Sequence, residues 1–187
     1  GSSIMQERTH AFAMKSQMWL LDPRPNLTSI VDMVERGFEL SEASNTPVMI
    51  QLRVRTCHVT GSFVARENQR PKLTVGQAAA NPRRDLSRIV LPPANFAHEN
   101  EKIEKRWPAA VKFVADQRLN EWFGPESDEI GIIVQGGLYT SLNRALELAG
   151  LSDIYGAAHI PVYCLNVTYP LVPDEVKAFC AGKKAVL

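Results

Sequence analysis

The stretch Gln51-Leu52-Arg53-Val54-Arg55-Thr56-Cys57-His58-Val59-Thr60-Gly61 holds the residue types best suited to chemistry. A cysteine beside a histidine suggests a nucleophile with its base. Such a dyad needs the sulfur and an imidazole nitrogen within hydrogen-bond reach. The run from Val48 to Val54 alternates, with Val48, Ile50, Leu52 and Val54 on one face and Met49, Gln51, Arg53 and Arg55 on the other. If that strand continues to residue 58, Cys57 and His58 point to opposite faces and form no direct dyad. Arg53, Arg55 and Cys57 would then share a face. Two arginines there can hold a carboxylate or phosphate bidentately, or pair with acidic groups of a neighbouring domain. Both readings stand at this point.

A second candidate is Ile133-Val134-Gln135-Gly136-Gly137-Leu138-Tyr139. A strand running through glycines into a helix N-terminus can cradle an anion, which makes Gly136 and Gly137 anion-binding candidates. The stretch lacks the lysine of a P-loop and the spacing of a dinucleotide fingerprint. The plainer reading is that the glycines allow a tight turn and close helix packing. Asp174-Glu175 suits a helix start, and His98 and His159 lack partners at metal-ligand spacing, so no metal site is expected.

Composition narrows the class. The 187 residues are 45% hydrophobic and 22% charged, with a net charge of +1. That is ordinary globular composition with no nucleic-acid or membrane footprint. No apolar run is long enough for a transmembrane helix, and the beginning lacks a signal-peptide core. Cys57, Cys164 and Cys180 are odd in number and widely spaced, which predicts reduced thiols and a cytoplasmic protein.

The elements that must position these residues follow from periodicity. Met18-Trp19-Leu20-Leu21 reads as a strand that Pro23 and Pro25 stop. Leu27, Ile30, Val31, Val34 and Phe38 predict a helix with one apolar face, capped by Asn26 or Thr28. The strand from Val48 completes a βαβ unit. From Gly61 to about Asn95 the chain is polar and proline-marked, which predicts a long linker over a domain surface. Asn100 to Asn120 is helical, with a kink or fresh start at Trp107-Pro108. A second βαβ unit runs from Ile130-Val134 through a helix at 138–149, capped by Gly150, to Ile160-Leu165. Pro173 then starts a helix that Gly182 ends, and Ala185-Val186-Leu187 opens a third parallel strand.

The fold class is therefore α/β, with two partial parallel-sheet layers joined by a long linker, and the expectation is a fragment of something larger. The boundaries are 4–60 for the first layer, 61–127 for the linker with its helix, and 128–187 for the second layer.

Four pieces in this order resemble a known family. They are Met18-Trp19-Leu20-Leu21-Asp22-Pro23 with its helix; Asn45-Thr46-Pro47-Val48 through the Arg55-Thr56-Cys57-His58-Val59-Thr60-Gly61 signature; Ile89-Val90-Leu91-Pro92-Pro93-Ala94-Asn95 with His98; and Glu129 to Gly137 followed by Thr168-Tyr169-Pro170-Leu171-Val172-Pro173. Together they resemble the α subunit of indolepyruvate:ferredoxin oxidoreductase, in the wider 2-oxoacid:ferredoxin oxidoreductase group. The resemblance implies that 4–60 is the C-terminal part of a thiamine-enzyme pyrimidine-type domain. It implies that 128–187 is the first half of a transketolase-C-terminal-like domain.

The resemblance further implies an oxidative decarboxylation of aryl 2-oxoacids with coenzyme A and ferredoxin. The whole enzyme would use thiamine diphosphate, a divalent metal such as Mg and iron–sulphur clusters. None of these is expected on this chain, which has no counterpart of their motifs and no catalytic residue of its own. Arg55, His58 and Arg53 become substrate-proximal or interface candidates. The partners implied are the remaining domains or subunits of the enzyme, with no nucleic acid and no membrane, and a homodimer through open sheet edges. Two rival readings are a flavodoxin-like module binding an anion or nucleotide at Gly136-Gly137, and a non-catalytic scaffold for domain docking.

Overall fold

The structure is a computed structural model that describes residues 8–68, 70, 72–82, 89–126 and 128–187; the side chain of Arg55 is not among what it describes. The chain opens with helix α1 (Thr9–Ser16), strand β1 (Trp19–Leu21), helix α2 (Leu27–Ser44) and strand β2 (Val48–Ile50). β1 and β2 are parallel, with Trp19 opposite Val48 and Leu21 opposite Ile50, so the first βαβ unit forms as its pattern predicts. Asn26 is the α2 cap, its side chain accepting from the Ser29 N–H at 3.1 Å.

β2 is shorter than its alternation suggests. After Ile50 one further rung forms, from the Gln51 N–H to the Leu21 carbonyl at 2.8 Å. β1 then gives way to Asp22-Pro23, and Pro23 has no N–H to continue a ladder. The chain turns instead into a one-turn helix, α3 (Val54–Cys57). Arg53, Arg55 and Cys57 therefore do not share a pleated face. Cys57 and His58 are both exposed, and no hydrogen bond joins them among the described residues.

Short helix α4 (Val75–Ala80) and helix α5 (Ala94–Glu101) lie within the predicted linker, whose residues 69, 71, 83–88 and 127 fall outside the described ones. A π-helical turn at Lys102–Arg106 separates α5 from α6 (Trp107–Asp116). The kink or fresh start expected at Trp107-Pro108 takes the form of this π-helical turn in an otherwise continuous helical run; in a regular α-helix the Pro108 ring would meet the carbonyl four residues back. The predicted linker also supplies strand β3 (Glu121–Phe123), which its sequence did not announce.

The rest comprises β4 (Ile130–Gln135), a 3₁₀ turn (Gly136–Leu138), α7 (Tyr139–Leu148), β5 (Val162–Leu165), β6 (Val167–Tyr169), α8 (Pro173–Cys180) and β7 (Ala185–Val186). Gly150 and Gly182, past the ends of α7 and α8, have φ of +71° and +74°, the left-handed geometry of a helix stop. Two sheets result, ordered β2-β1-β6 and β3-β5-β4-β7.

Both sheets are mixed rather than parallel, which corrects the expectation of two parallel layers. β6 runs antiparallel to β1, and β3 antiparallel to β5. The reason lies in residues 161–168, which are buried without a break. That run serves one sheet up to Leu165 and the other from Val167, and it crosses between them at Asn166. Sheet membership thus crosses the boundaries drawn at 60 and 127.

The main core gathers Trp19, Leu21, Met33, Leu40, Val114 and Val167. Trp107 packs edge-on against Trp19 and Tyr169, with ring centroids 5.4 and 5.1 Å apart. The buried face of α2 is Met33, Gly37, Leu40 and Ser44, while Phe38 from the predicted apolar face is 74% exposed. Gly37 and Ser44 explain the rotation. A Cβ on Gly37 would already touch Leu21 and Ile50, and Ser44 Oγ accepts from Trp19 Nε1 at 2.7 Å. Small residues set the helix close to the sheet, and a hydrophobic count does not score them. Accordingly, Leu40→Ala should cost about 2–5 kcal/mol in urea denaturation. Phe38→Ser should stay within about 0.5 kcal/mol of the unaltered protein; the reverse order would restore the sequence-predicted face.

Candidate functional site

The carboxyl ends of parallel strands are where ligands gather in α/β sheets. Here the ends of β1, β2 and β4, from two different sheets, converge. Asp22 follows β1, Gln51 and Arg53 follow β2, and Gln135 ends β4. Together with Arg8, His10 and Thr168 they line a cleft of about 480 Å³.

Its centre is an ion pair. The Asp22 side chain is only 2% exposed, and Arg53 donates to it through Nη2 at 2.7 Å and Nε at 3.3 Å. Arg53 Nη2 also donates to Gln135 Oε1 at 2.6 Å. The arginine expected to meet either an external anion or an internal acid is therefore bound to an internal acid. That contact ties the end of β2 to the ends of β1 and β4.

A parallel tie lies alongside. Arg24 donates to Glu121 through Nε at 2.5 Å and Nη2 at 2.7 Å, a bidentate pair. Its guanidinium also sits 5.0 Å from the Phe123 ring centroid and 5.2 Å from that of Tyr139. Asn166, at the sheet crossing, donates from Nδ2 to the Leu119 carbonyl at 2.9 Å and to Glu121 Oε2 at 2.8 Å. Its Oδ1 accepts the Arg24 N–H at 3.0 Å, and its backbone carbonyl accepts the Asp22 N–H at 2.8 Å.

Gly136 and Gly137 sit against this network. A Cβ on Gly136 would overlap the Asp22 carbonyl and come within 2.6 Å of Asn166 Oδ1; one on Gly137 would overlap Asp22 Oδ1 and Arg53 Nε. The glycines are there for close approach, and the protein's own Asp22 and Arg53 fill the space that an open anion cradle would need. Of the other sequence candidates, His58 lies exposed in the turn after α3. The Arg55 backbone is in α3 and its side chain lies outside the described residues.

Burial acts on several groups. It pushes the Cys164 thiol up to about 12, reinforced by the Glu121 charge, so this cysteine is a core residue without nucleophilic character. Burial also raises the Tyr163 hydroxyl, which donates to Glu175 Oε2 at 2.5 Å. Burial alone would raise the Glu121 carboxyl, but the hydrogen bonds from Arg24 and Asn166 and the Arg24 charge outweigh it and hold it below the usual range.

Asp22, Arg24, Glu121, Gln135 and Asn166 escaped the sequence reading. Asp22 and Gln135 carried one usable signal: each is a lone polar residue at the end of an apolar strand. Glu121 and Asn166 carried none, because their roles depend on contacts across 45 positions of chain.

No family model matches the chain, and no solved structure matches it. Curated relatives do. Across its whole length the chain is 29% identical, over 188 positions, to indolepyruvate oxidoreductase subunit IorA of Methanothermobacter marburgensis. It is 27% identical over 192 positions to the subunit of the same name from Methanothermobacter thermautotrophicus, and 25% over 193 to that from Pyrococcus abyssi. The chain resembles IorA. It spans 28% of the length of each of these relatives. The resemblance read from the motifs is thus found along the whole chain.

Two outcomes test the network. Glu121 has a lowered folded value, so its contribution is fully present above the ordinary value of 4.5 and is lost as the pH falls through the folded value. Glu121→Gln should therefore lower stability at neutral pH and flatten the loss that the unaltered protein shows in acid, read as urea midpoints across pH. Gly137→Ala should cost about 1–3 kcal/mol through overpacking. Gly76→Ala in α4, where a Cβ meets nothing within 4 Å, should cost nothing in the same assay.

Proposed function

We propose that this chain forms part of an indolepyruvate-type 2-oxoacid oxidoreductase subunit and is not catalytic by itself. The observation that carries the proposal is the similarity to IorA along the entire chain, at 28% of the relatives' length. In this reading the chain supplies one wall of a site that other parts of the enzyme complete. The ends of β1, β2 and β4 form that wall. Arg53 holds its shape through Asp22 and Gln135, and Arg55 in α3 and His58 just after it are the candidates for contact with the substrate or the neighbouring domain.

The cofactors that the family implies do not fit the residues described. No group of three His, Cys, Asp or Glu side chains among them is placed to hold a metal ion. Cys57 is exposed and Cys164 buried, which suits no shared cluster, and the Gly136-Gly137 turn is too filled for a diphosphate. No step is therefore assigned to a metal, cluster or thiamine on this chain. Its own work in the reading is to position and to exclude water.

The test is to isolate the native polypeptide with an antibody against this chain, weigh it, and assay indolepyruvate- and coenzyme A-dependent reduction of a low-potential acceptor. The expected product is a polypeptide several times heavier than 20.8 kDa with that activity. A native polypeptide of about that mass with no 2-oxoacid activity would sink the proposal. In the active enzyme, Arg55→Ala and His58→Ala should raise KM for the oxoacid or weaken assembly; no change in either would remove both residues from the wall.

A further inference from the structure

Residues 60–68 have no regular structure and are all exposed, and among the described residues none of their backbone groups makes a hydrogen bond. Val64 is 93% exposed. The ionic tie of this run is Arg66, which donates from a surface position to Glu35 Oε2 at 2.6 Å and to Asp32 Oδ1 at 3.3 Å. Exposed pairs of this kind hold a segment weakly. Endoproteases take their substrates as accessible chain free of structure, so such segments are where chains are nicked. A second exposed apolar tip shows what this run lacks. Ile154 and Tyr155 are 85% and 89% exposed, but Asp153 Oδ1 accepts the amides of Tyr155 and Ala157 at 2.8 Å each, and the His159 N–H reaches the Leu151 carbonyl at 2.8 Å. That turn has to unfold before it can be cut.

The parts of the chain on either side of the run are held together by contacts that do not pass through it. Leu20 and Leu21 pair with Tyr169 and Val167 across the β1–β6 ladder. The main core joins Trp19, Met33 and Leu40 from one side to Ala110, Val114 and Val172 from the other. The Arg24–Glu121 pair, the Arg53–Gln135 hydrogen bond and the bond from the Asp22 N–H to the Asn166 carbonyl cross the same divide. A tether between two such halves adds effective concentration rather than contacts.

We propose that residues 60–68 are a cleavage site for an endoprotease selective for apolar side chains, and that the cut chain persists as a two-chain protein with the fold of the intact one. Water adds across the peptide bond before Phe63 or Val64. The new carboxylate ends a fragment that carries α1 to α3, and the new amine starts one that carries α4 to β7. Neither the site nor the pairing of the halves depends on the oxidoreductase proposal.

The experiment digests the full chain with limiting thermolysin in native buffer and reads the fragments by mass and by size-exclusion chromatography. The first cut should fall before Phe63 or Val64. Both fragments should elute together at the position of the uncut chain and part only in urea. The Tm of the cut protein should fall on dilution from about 100 to about 1 µM, while that of the uncut chain stays constant. Arg24→Ala, which opens one tie across the divide, should leave the uncut chain folded and weaken the cut pair about tenfold or more. A first cut outside 60–68, fragments that separate or precipitate in native buffer, a Tm of the cut protein that ignores dilution, or an unchanged affinity in Arg24→Ala would each overturn the proposal.

Discussion

A carboxylate removed from water has to be met by opposite charge and hydrogen bonds, and Asp22 imposes that requirement on this fold. Its side chain is 2% exposed, and Arg53 is the cation that meets it. Leaving such a group without its partner costs on the order of 3–5 kcal/mol. Several features follow from the pairing. β2 ends where Pro23 can carry no further rung, and the chain after Ile50 then turns so that Arg53 reaches Asp22. Gln135 is drawn to the same guanidinium, so β4 of the second sheet is held against β1 of the first. The pair also lies where a side chain at position 137 would go, which restricts that position to glycine.

Asn166 performs the matching task at the sheet crossing. A polar residue inside a buried eight-residue run would ordinarily be costly. Here both hydrogens of its amide nitrogen and its oxygen have partners, spread over Leu119, Glu121 and Arg24. Those partners belong to the loop before β3, β3 itself and the segment after β1. One amide thus joins three parts of the chain at the point where β5 becomes β6. With the Arg24–Glu121 pair beside it, the two sheets share a polar seam rather than an apolar interface alone.

This seam changes the meaning of the apparently reactive residues. Cys57 beside His58 is an exposed turn, not a nucleophile with its base. The arginine two residues before Arg55 matters more, and it acts inward. The site candidates visible in the sequence were the side chains with chemical reputations: arginine, cysteine, histidine and a glycine pair. Of these, Arg53, Gly136 and Gly137 do meet in space, but around Asp22, which reads along the chain merely as a polar stop before two prolines.

Local rules were enough for much of the architecture. Both βαβ units, the Asn26 cap, the helix irregularity before Pro108, the Pro173 start of α8 and the glycine stops at 150 and 182 each depend on residues within about one helical turn or one strand. The chemistry of backbone donors and φ angles decides such features wherever the segment lies. The identity of the buried α2 face, the early end of β2, the strand at Glu121–Phe123 and the mixed sheets were settled only by tertiary structure. In each case the deciding partner is distant in sequence: Ser44 answers Trp19, Arg53 answers Asp22, and Glu121 answers Arg24 and Asn166. Periodicity records which residues avoid water, but a buried polar group is defined by its partner, and that partner is chosen by the fold.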